Sequence, residues 1–138
     1  MNYLLDSSAL LAYYFGETGC ERVRDILADE RAGVEVSVLT ASEVWGRLRA
    51  EGAGADAQPV FDAEWQRLSE MMTAIVPVTY EVVRRSLDLR AAAAKRLPQI
   101  DALIAATAAV RGAVLVHRDP HFLSIPADLL QQEVLVEK

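Results

Sequence analysis

Short apolar runs of strand type alternate with longer stretches of helical period along this 138-residue chain, and the alternation predicts an α/β fold with a central, mainly parallel sheet flanked by helices. Three observations carry that expectation. The first apolar run stops at Asp6-Ser7-Ser8, a cluster suited to capping a helix. The run Val34-Glu35-Val36-Ser37-Val38-Leu39 alternates apolar and polar residues on a β-branched framework. Val114-Leu115-Val116 is uniformly apolar, as a buried strand of a parallel sheet is. The length favours one compact domain over residues 1–138 and is sufficient to bury a sizeable core.

Taken in order, residues 3–5 form the first strand and residues 9–15 a helix that stops near Gly16. Val23, Ile26 and Leu27, spaced by three and four, predict a second helix over 20–31 that Gly33 ends. Strand 34–39 follows, and Thr40 opens a helix through Glu51. Residues 52–59 (GAGADAQP) read as a loop, with Pro59 starting a helix to about Met72. A strand over 75–78 precedes a long helix that begins at Thr79 or Tyr80 and ends near Arg96. Pro98 breaks the chain, after which Ile100, Leu103, Ile104, Thr107 and Val110 make an apolar stripe closed by Gly112. Strand 114–116 turns out at Asp119-Pro120, and residues 133–136 add a last strand. The chain shows no internal repeat and no heptad run.

Composition narrows the function classes. Residues of the AVILMFWYC set make up 52% and charged residues 25%, which is the profile of a packed domain and not of a disordered one. Cys20 is the only cysteine, so no disulfide forms within the chain. The longest uncharged apolar stretch, residues 102–110, is far shorter than the roughly 20 residues that span a bilayer. Without a basic leader before Asp6, the expectation is a cytoplasmic protein with no membrane segment. Twenty acidic residues against 14 basic ones give a net charge of −6, which opposes generic attraction to a phosphate backbone.

Most of those acids, among them Asp25, Asp29, Glu64, Glu70 and Asp88, read as solvated helix faces. Four occupy a special place. Asp6 follows the first strand, Glu43 lies in the first turn after the second, Asp101 lies in the first turn after Pro98, and Asp119 follows strand 114–116. The carboxyl ends of parallel strands share one edge, where ligands bind. Each acid also has a plain structural role open to it. Thr40-Ala41-Ser42-Glu43 matches a capping box, Asp6 and Asp119 suit turns or N-caps, and Asp101 complements a helix dipole. Several carboxylates in one crevice repel unless a cation or shared proton offsets them, and hard oxygen ligands without a cysteine cluster favour magnesium or manganese.

These residues carry a family resemblance. The stretch Asp6-Ser7-Ser8-Ala9-Leu10-Leu11, the Thr40-Ala41-Ser42-Glu43 turn, the run from Leu97 to Ala108 (LPQIDALIAATA) and His117-Arg118-Asp119-Pro120-His121-Phe122, in that order, resemble a PIN-domain ribonuclease of the VapC toxin kind. The likeness spans about residues 2–123. It implies a three-layer PIN-like fold and a Mg2+- or Mn2+-dependent endoribonuclease acting on tRNA, rRNA or mRNA. It also implies inhibition by a VapB-type antitoxin and a homodimer. Residue by residue, Asp6 and Asp101 match the family's central metal ligands, with Glu43 and Asp119 completing the quartet as catalytic residues. Ser7 matches the hydroxyl residue that helps to orient the site. Many relatives have threonine or serine where His117 stands, and some carry a further acid or asparagine near His121 or Phe122. The implied chemistry is in-line hydrolysis leaving 5′-phosphate and 3′-hydroxyl ends.

Positive contacts for RNA fall to arginine, since Lys95 and Lys138 are the only lysines among the 14 basic residues. Arg47, one turn after Glu43, and Arg118, before Asp119, are the candidates for RNA binding. Arg47 has ion pairing with Glu43 or Glu51 as its alternative role. Arg84, Arg85, Arg90, Lys95 and Arg96 read as a solvated face of the fifth helix, Trp45 and Trp65 as core or partner contacts, His117 as a structural residue or one that supports the site from behind, and His121 as a loop residue. Leu10, Leu11, Tyr13, Tyr14 and Phe15 form a denser apolar set than one short helix normally buries, which marks an interface. Two other classes compete: a catalytically inactive PIN-fold binding or regulatory module, and a phosphotransferase that uses an aspartate at a strand end. The second lacks the further aspartate and the late lysine it needs. Setting the four acids aside leaves 16 acidic against 14 basic residues, a surface close to neutral.

Overall fold

All five strands of the sheet run parallel, as the alternation of short apolar runs and helices requires. The structure, a computed structural model, describes residues 1–53 and 56–136. Its strands are β1 (Asn2–Leu5), β2 (Gly33–Ser37), β3 (Ala74–Val76), β4 (Val114–His117) and β5 (Gln132–Val134), in the order β3-β2-β1-β4-β5. Six α-helices join them: α1 (Ser7–Phe15), α2 (Cys20–Ala28), α3 (Thr40–Leu48), α4 (Ala57–Glu70), α5 (Tyr80–Ala92) and α6 (Gln99–Arg111). A π-type turn over Arg49–Ala53 extends α3, and a 3-10 turn over Pro120–Ser124 follows β4.

Winding runs outward from β1 to β3 and then resumes on the other side of β1 at β4, so its direction reverses between β1 and β4. Side chains of β1 alternate between the two faces. Leu4 joins Leu115, Leu89, Leu97 and Ile104 in a core against α5 and α6, whereas Leu5 joins Val36, Val116, Leu10 and Leu68 in a core against α1 to α4. The result is a three-layer α/β sandwich. Among the described residues, no helix is long and apolar enough to cross a membrane.

Several boundaries depart from expectation for local reasons. β2 stops at Ser37 because the Leu39 N–H turns back to the Ser37 hydroxyl at 3.1 Å. α2 ends at Ala28, where Asp29 goes extended and its carboxylate accepts the Arg31 N–H. β3 ends at Val76 because Pro77 has no N–H to continue the ladder. α5 ends at Ala92 rather than near Arg96, with Ala93 extended and the Ala94 N–H bonded to the Ser124 carbonyl. Lys95 and Arg96 therefore lie beyond the helix. α4 begins at Ala57, two residues ahead of Pro59, inside the stretch read as a loop; positions 54 and 55 of that stretch lie outside the described residues.

The stripe assigned to α6 is only partly the buried one. Ile100 is 44% exposed, and the packed surface runs through Ala102, Ile104, Ala105, Ala106, Thr107 and Ala108. Small residues let this helix lie close to both the sheet and α5. Gly112, at φ 64°, closes α6 in the left-handed conformation that glycine adopts without strain. Of the apolar set in α1, Leu10 and Leu11 are buried, while Tyr13, Tyr14 and Phe15 pack against the second core and remain half-exposed.

Candidate functional site

The four singled-out acids come from four separate segments, and the sheet brings them to the edge where the winding reverses. Asp6 leaves β1 and its N–H pairs with the Val116 carbonyl of β4 at 3.1 Å, so β1 and β4 stay in register up to the site. Asp119 lies two residues beyond β4, and Asp101 and Glu43 lie in the first turns of α6 and α3.

Asp6 is 4% exposed and caps α1. Its Oδ1 accepts the Ala9 N–H at 2.8 Å and the Ser8 hydroxyl at 2.7 Å. Burial pushes its pKa up from 3.8 to about 7 against the pull of those two hydrogen bonds, and the charges of Asp119 and Glu43 add to the rise. Asp101 is raised too, first by burial and then by the Asp119 and Glu43 charges, with His121 opposing. Because the same two charges, Asp119 and Glu43, act on both Asp6 and Asp101, the four acids surround one crevice.

The Asp119 turn is tightly braced. His117 is fully buried, its Nδ1 accepts the Asp119 N–H at 3.1 Å, and its Nε2 meets the Gln132 Oε1 at 2.8 Å. That pattern requires the neutral ring with its proton on Nε2, and burial pushes the His117 pKa down in agreement. Gln132 in turn donates to the Phe122 carbonyl, and Phe122, 1% exposed, anchors the 3-10 turn. His121 stands over the acids: its Nδ1 is 3.0 Å from Asp119 Oδ1 and 3.4 Å from Asp101 Oδ2.

The chemistry of this donor set fits a divalent cation. Carboxylate oxygens from Asp6, Asp101, Asp119 and Glu43 are hard donors, their mutual repulsion is what a cation offsets, and no thiolate competes at the site. Two surface depressions of about 410 and 420 Å3 lie elsewhere, and neither is lined by any of the four acids.

A family model described as PIN domain matches residues 3–128. The chain belongs to the PIN-domain family. No curated protein matches its sequence. Among solved structures, VapBC2 from Rickettsia felis bound to a promoter DNA fragment has a TM-score of 0.74 at 17% identity, over 96% of this chain and 98% of that one. A toxin–antitoxin complex from Klebsiella pneumoniae gives 0.71 at 20% identity, covering 99% of both chains. FitAcB from Neisseria gonorrhoeae gives 0.71 at 23% identity, over 96% of this chain and 97% of that one. At such identities the likeness is one of fold.

Within this PIN domain the sequence-based roles are partly redistributed. Thr40-Ala41-Ser42-Glu43 does not act as a capping box: Leu39 is the N-cap of α3, without a side-chain cap, and Thr40 is buried with its hydroxyl accepting from Ser7 at 3.4 Å. Glu43 is exposed and is close enough for its charge to act on Asp6 and Asp101. The hydroxyl on Asp6 belongs to Ser8, which also accepts the Arg118 N–H at 3.0 Å, whereas Ser7 ties α1 to α3. Arg47 and Arg118 converge on one carboxylate, Glu17, each at 2.6 Å. Arg47 also pairs with Glu51 at 3.0 Å and lies 4.4 Å over the Phe15 ring. Glu17 is placed by the chain reversal at Gly16, φ 66°, where its N–H reaches the Ala12 carbonyl. Sequence reading missed Glu17, Ser8 and His121; the Ser8 hydroxyl two residues beyond an N-cap aspartate was a usable local signal, whereas Glu17 and His121 meet their partners only through the fold.

Proposed function

We propose that this PIN domain, acting as a single domain over residues 1–138, is a divalent-metal-dependent endoribonuclease and the toxin component of a toxin–antitoxin module. The observation that carries the reading is the convergence of Asp6, Asp101, Asp119 and Glu43 at the reversal point of the sheet, with Asp6 and Asp101 raised by burial and by each other's neighbours. Asp6 and Asp101 hold a Mg2+ or Mn2+ ion, and Glu43 and Asp119 bind it through water or hold a second one. Such an ion supplies a more acidic water and neutralises charge developing on a phosphate. Ser8 fixes Asp6 by donating to Oδ1, and Ser7 holds the two helix starts together. Neutral His117 is engaged in holding the Asp119 backbone and is not needed as a general base.

The substrate is RNA (tRNA, rRNA or mRNA), cut to leave 5′-phosphate and 3′-hydroxyl ends. Arg47, one turn after Glu43 on α3, and Arg118, whose N–H reaches the Ser8 hydroxyl that fixes Asp6, contact its phosphates on leaving Glu17. The partners are a VapB-type antitoxin and a second copy in a homodimer, and the site of action is the cytoplasm. The fold of VapBC and FitAcB structures supports the antitoxin assignment by similarity. The test is RNA cleavage by the purified chain: Asp101→Asn or EDTA should lower the rate more than about 100-fold while circular dichroism stays native. Cleavage that persists under either condition overturns the metal-site reading.

A further inference from the structure

Among the described residues, His121 is the histidine that stands within ligand distance of the acidic crevice. The imidazole Nδ1 lies 3.0 Å from Asp119 Oδ1 and 3.4 Å from Asp101 Oδ2, and one donor atom from each of the three residues falls within 4.8 Å of the others. Two ligands at neighbouring corners of an octahedron with bonds of about 2.1 Å are about 3.0 Å apart, which is the spacing of His121 from Asp119, while Asp101 stands wider, at 3.4 Å. The turn carrying the ring is fixed on every side. The His121 N–H donates to Asp119 Oδ1 at 3.0 Å, its carbonyl accepts from Ser124, and the next residue, Phe122, is sealed in the core. His121 itself is 54% exposed on its side chain, so it covers the carboxylates from the solvent side.

We propose that His121 Nδ1 is a direct ligand of the ion that Asp119 holds, the second of the two that the acids can take, with Asp101 shared between the two, and that this nitrogen makes that position prefer manganese-type cations over magnesium. The proposal rests on the reading of the acids as a metal site. Magnesium favours an all-oxygen shell, whereas imidazole nitrogen strengthens binding along the transition-metal series. The competing arrangement is a protonated ring that serves only as a counter-charge to the acids. In that case an arriving cation displaces the imidazolium and no metal–nitrogen bond forms.

Pulsed EPR on the full-length chain loaded with Mn2+ separates the two, with titration calorimetry giving the Mn2+ and Mg2+ affinities. The expected result is 14N coupling in the wild type that changes to the 15N pattern on 15N-histidine labelling and disappears in His121→Gln. The same substitution should weaken Mn2+ binding about 10-fold or more and Mg2+ binding less than about 3-fold. His121→Asp, which restores an all-oxygen set, should bind Mg2+ at least as tightly as the wild type. Mn2+ binding without 14N coupling, or coupling that survives in His121→Gln, overturns the role of His121 and leaves the acidic metal site standing. No Mn2+ binding at all overturns both.

Discussion

Replacing Asp6 by asparagine should stabilise the metal-free protein at alkaline pH while abolishing its chemistry. The carboxyl is 4% exposed, and its pKa is about 7 in the folded chain against 3.8 ordinarily. A raised folded-state value means that the native state holds the proton more tightly than the unfolded chain. The stabilisation is therefore complete below pH 3.8 and is lost as pH rises through 7. Each pH unit between the two values costs about 1.4 kcal/mol, so moving from pH 5 to pH 8 costs the wild type roughly 2.5 kcal/mol at this residue. Asparagine carries no such charge. Its Oδ1 can still accept the Ala9 N–H and the Ser8 hydroxyl, and it caps helices as well as aspartate does. Asp6→Asn should already be the more stable protein at pH 5 in EDTA, because the unfolded carboxyl ionises from pH 3.8 upward, and its advantage in melting temperature should widen by roughly 8 to 10 °C between pH 5 and pH 8. Thermal unfolding followed by circular dichroism at pH 5, 6, 7 and 8 measures the difference. A gap that does not change with pH would refute the reasoning, as would a less stable variant at pH 8.

Glu17→Gln should release Arg47 and Arg118 from their shared carboxylate. RNA binding, measured by anisotropy in an inactive Asp101→Asn background, should tighten about 3- to 10-fold at 50 mM salt and lose most of the gain at 200 mM. Phe122→Ala should cost about 3 to 5 kcal/mol in denaturant unfolding, because the ring is 1% exposed and anchors the turn that carries Asp119 and His121. Adding saturating Mn2+ at pH 8 should reverse the order found for Asp6→Asn, raising the melting temperature of the wild type well above that of the variant.

Fold class, strand order along the chain and the placement of the four acids at strand ends and first helix turns were legible because each rests on a local pattern: strand-type runs, a capping aspartate, a helix start after proline. Asp6 shows why local roles and site roles coexist. One oxygen caps α1, and the same residue lies within range of the Asp119 and Glu43 charges at the sheet edge. What the sequence hid depends on distance along the chain. Arg118 meets Glu17 across 101 residues and Arg111 pairs with the nearly buried Glu35 across 76, separations that no periodicity encodes. The capping box failed because Leu39 precedes the helix with helical backbone angles, which leaves the Thr40 hydroxyl free to meet Ser7 from α1. His121 read as a loop residue because its contacts depend on how β4 and α6 are juxtaposed.

The proposed activity is hydrolysis of RNA at the Asp6, Asp101, Asp119 and Glu43 site. The most direct measurement incubates total RNA with the purified chain, free of antitoxin, and sequences the new 5′-phosphate ends with Mn2+ or Mg2+, with EDTA, and with Asp101→Asn. Discrete 5′-phosphate ends should appear in the metal-loaded wild type and none in the other two samples. The same ends in EDTA or in Asp101→Asn, or no ends under any condition, would contradict the proposed activity.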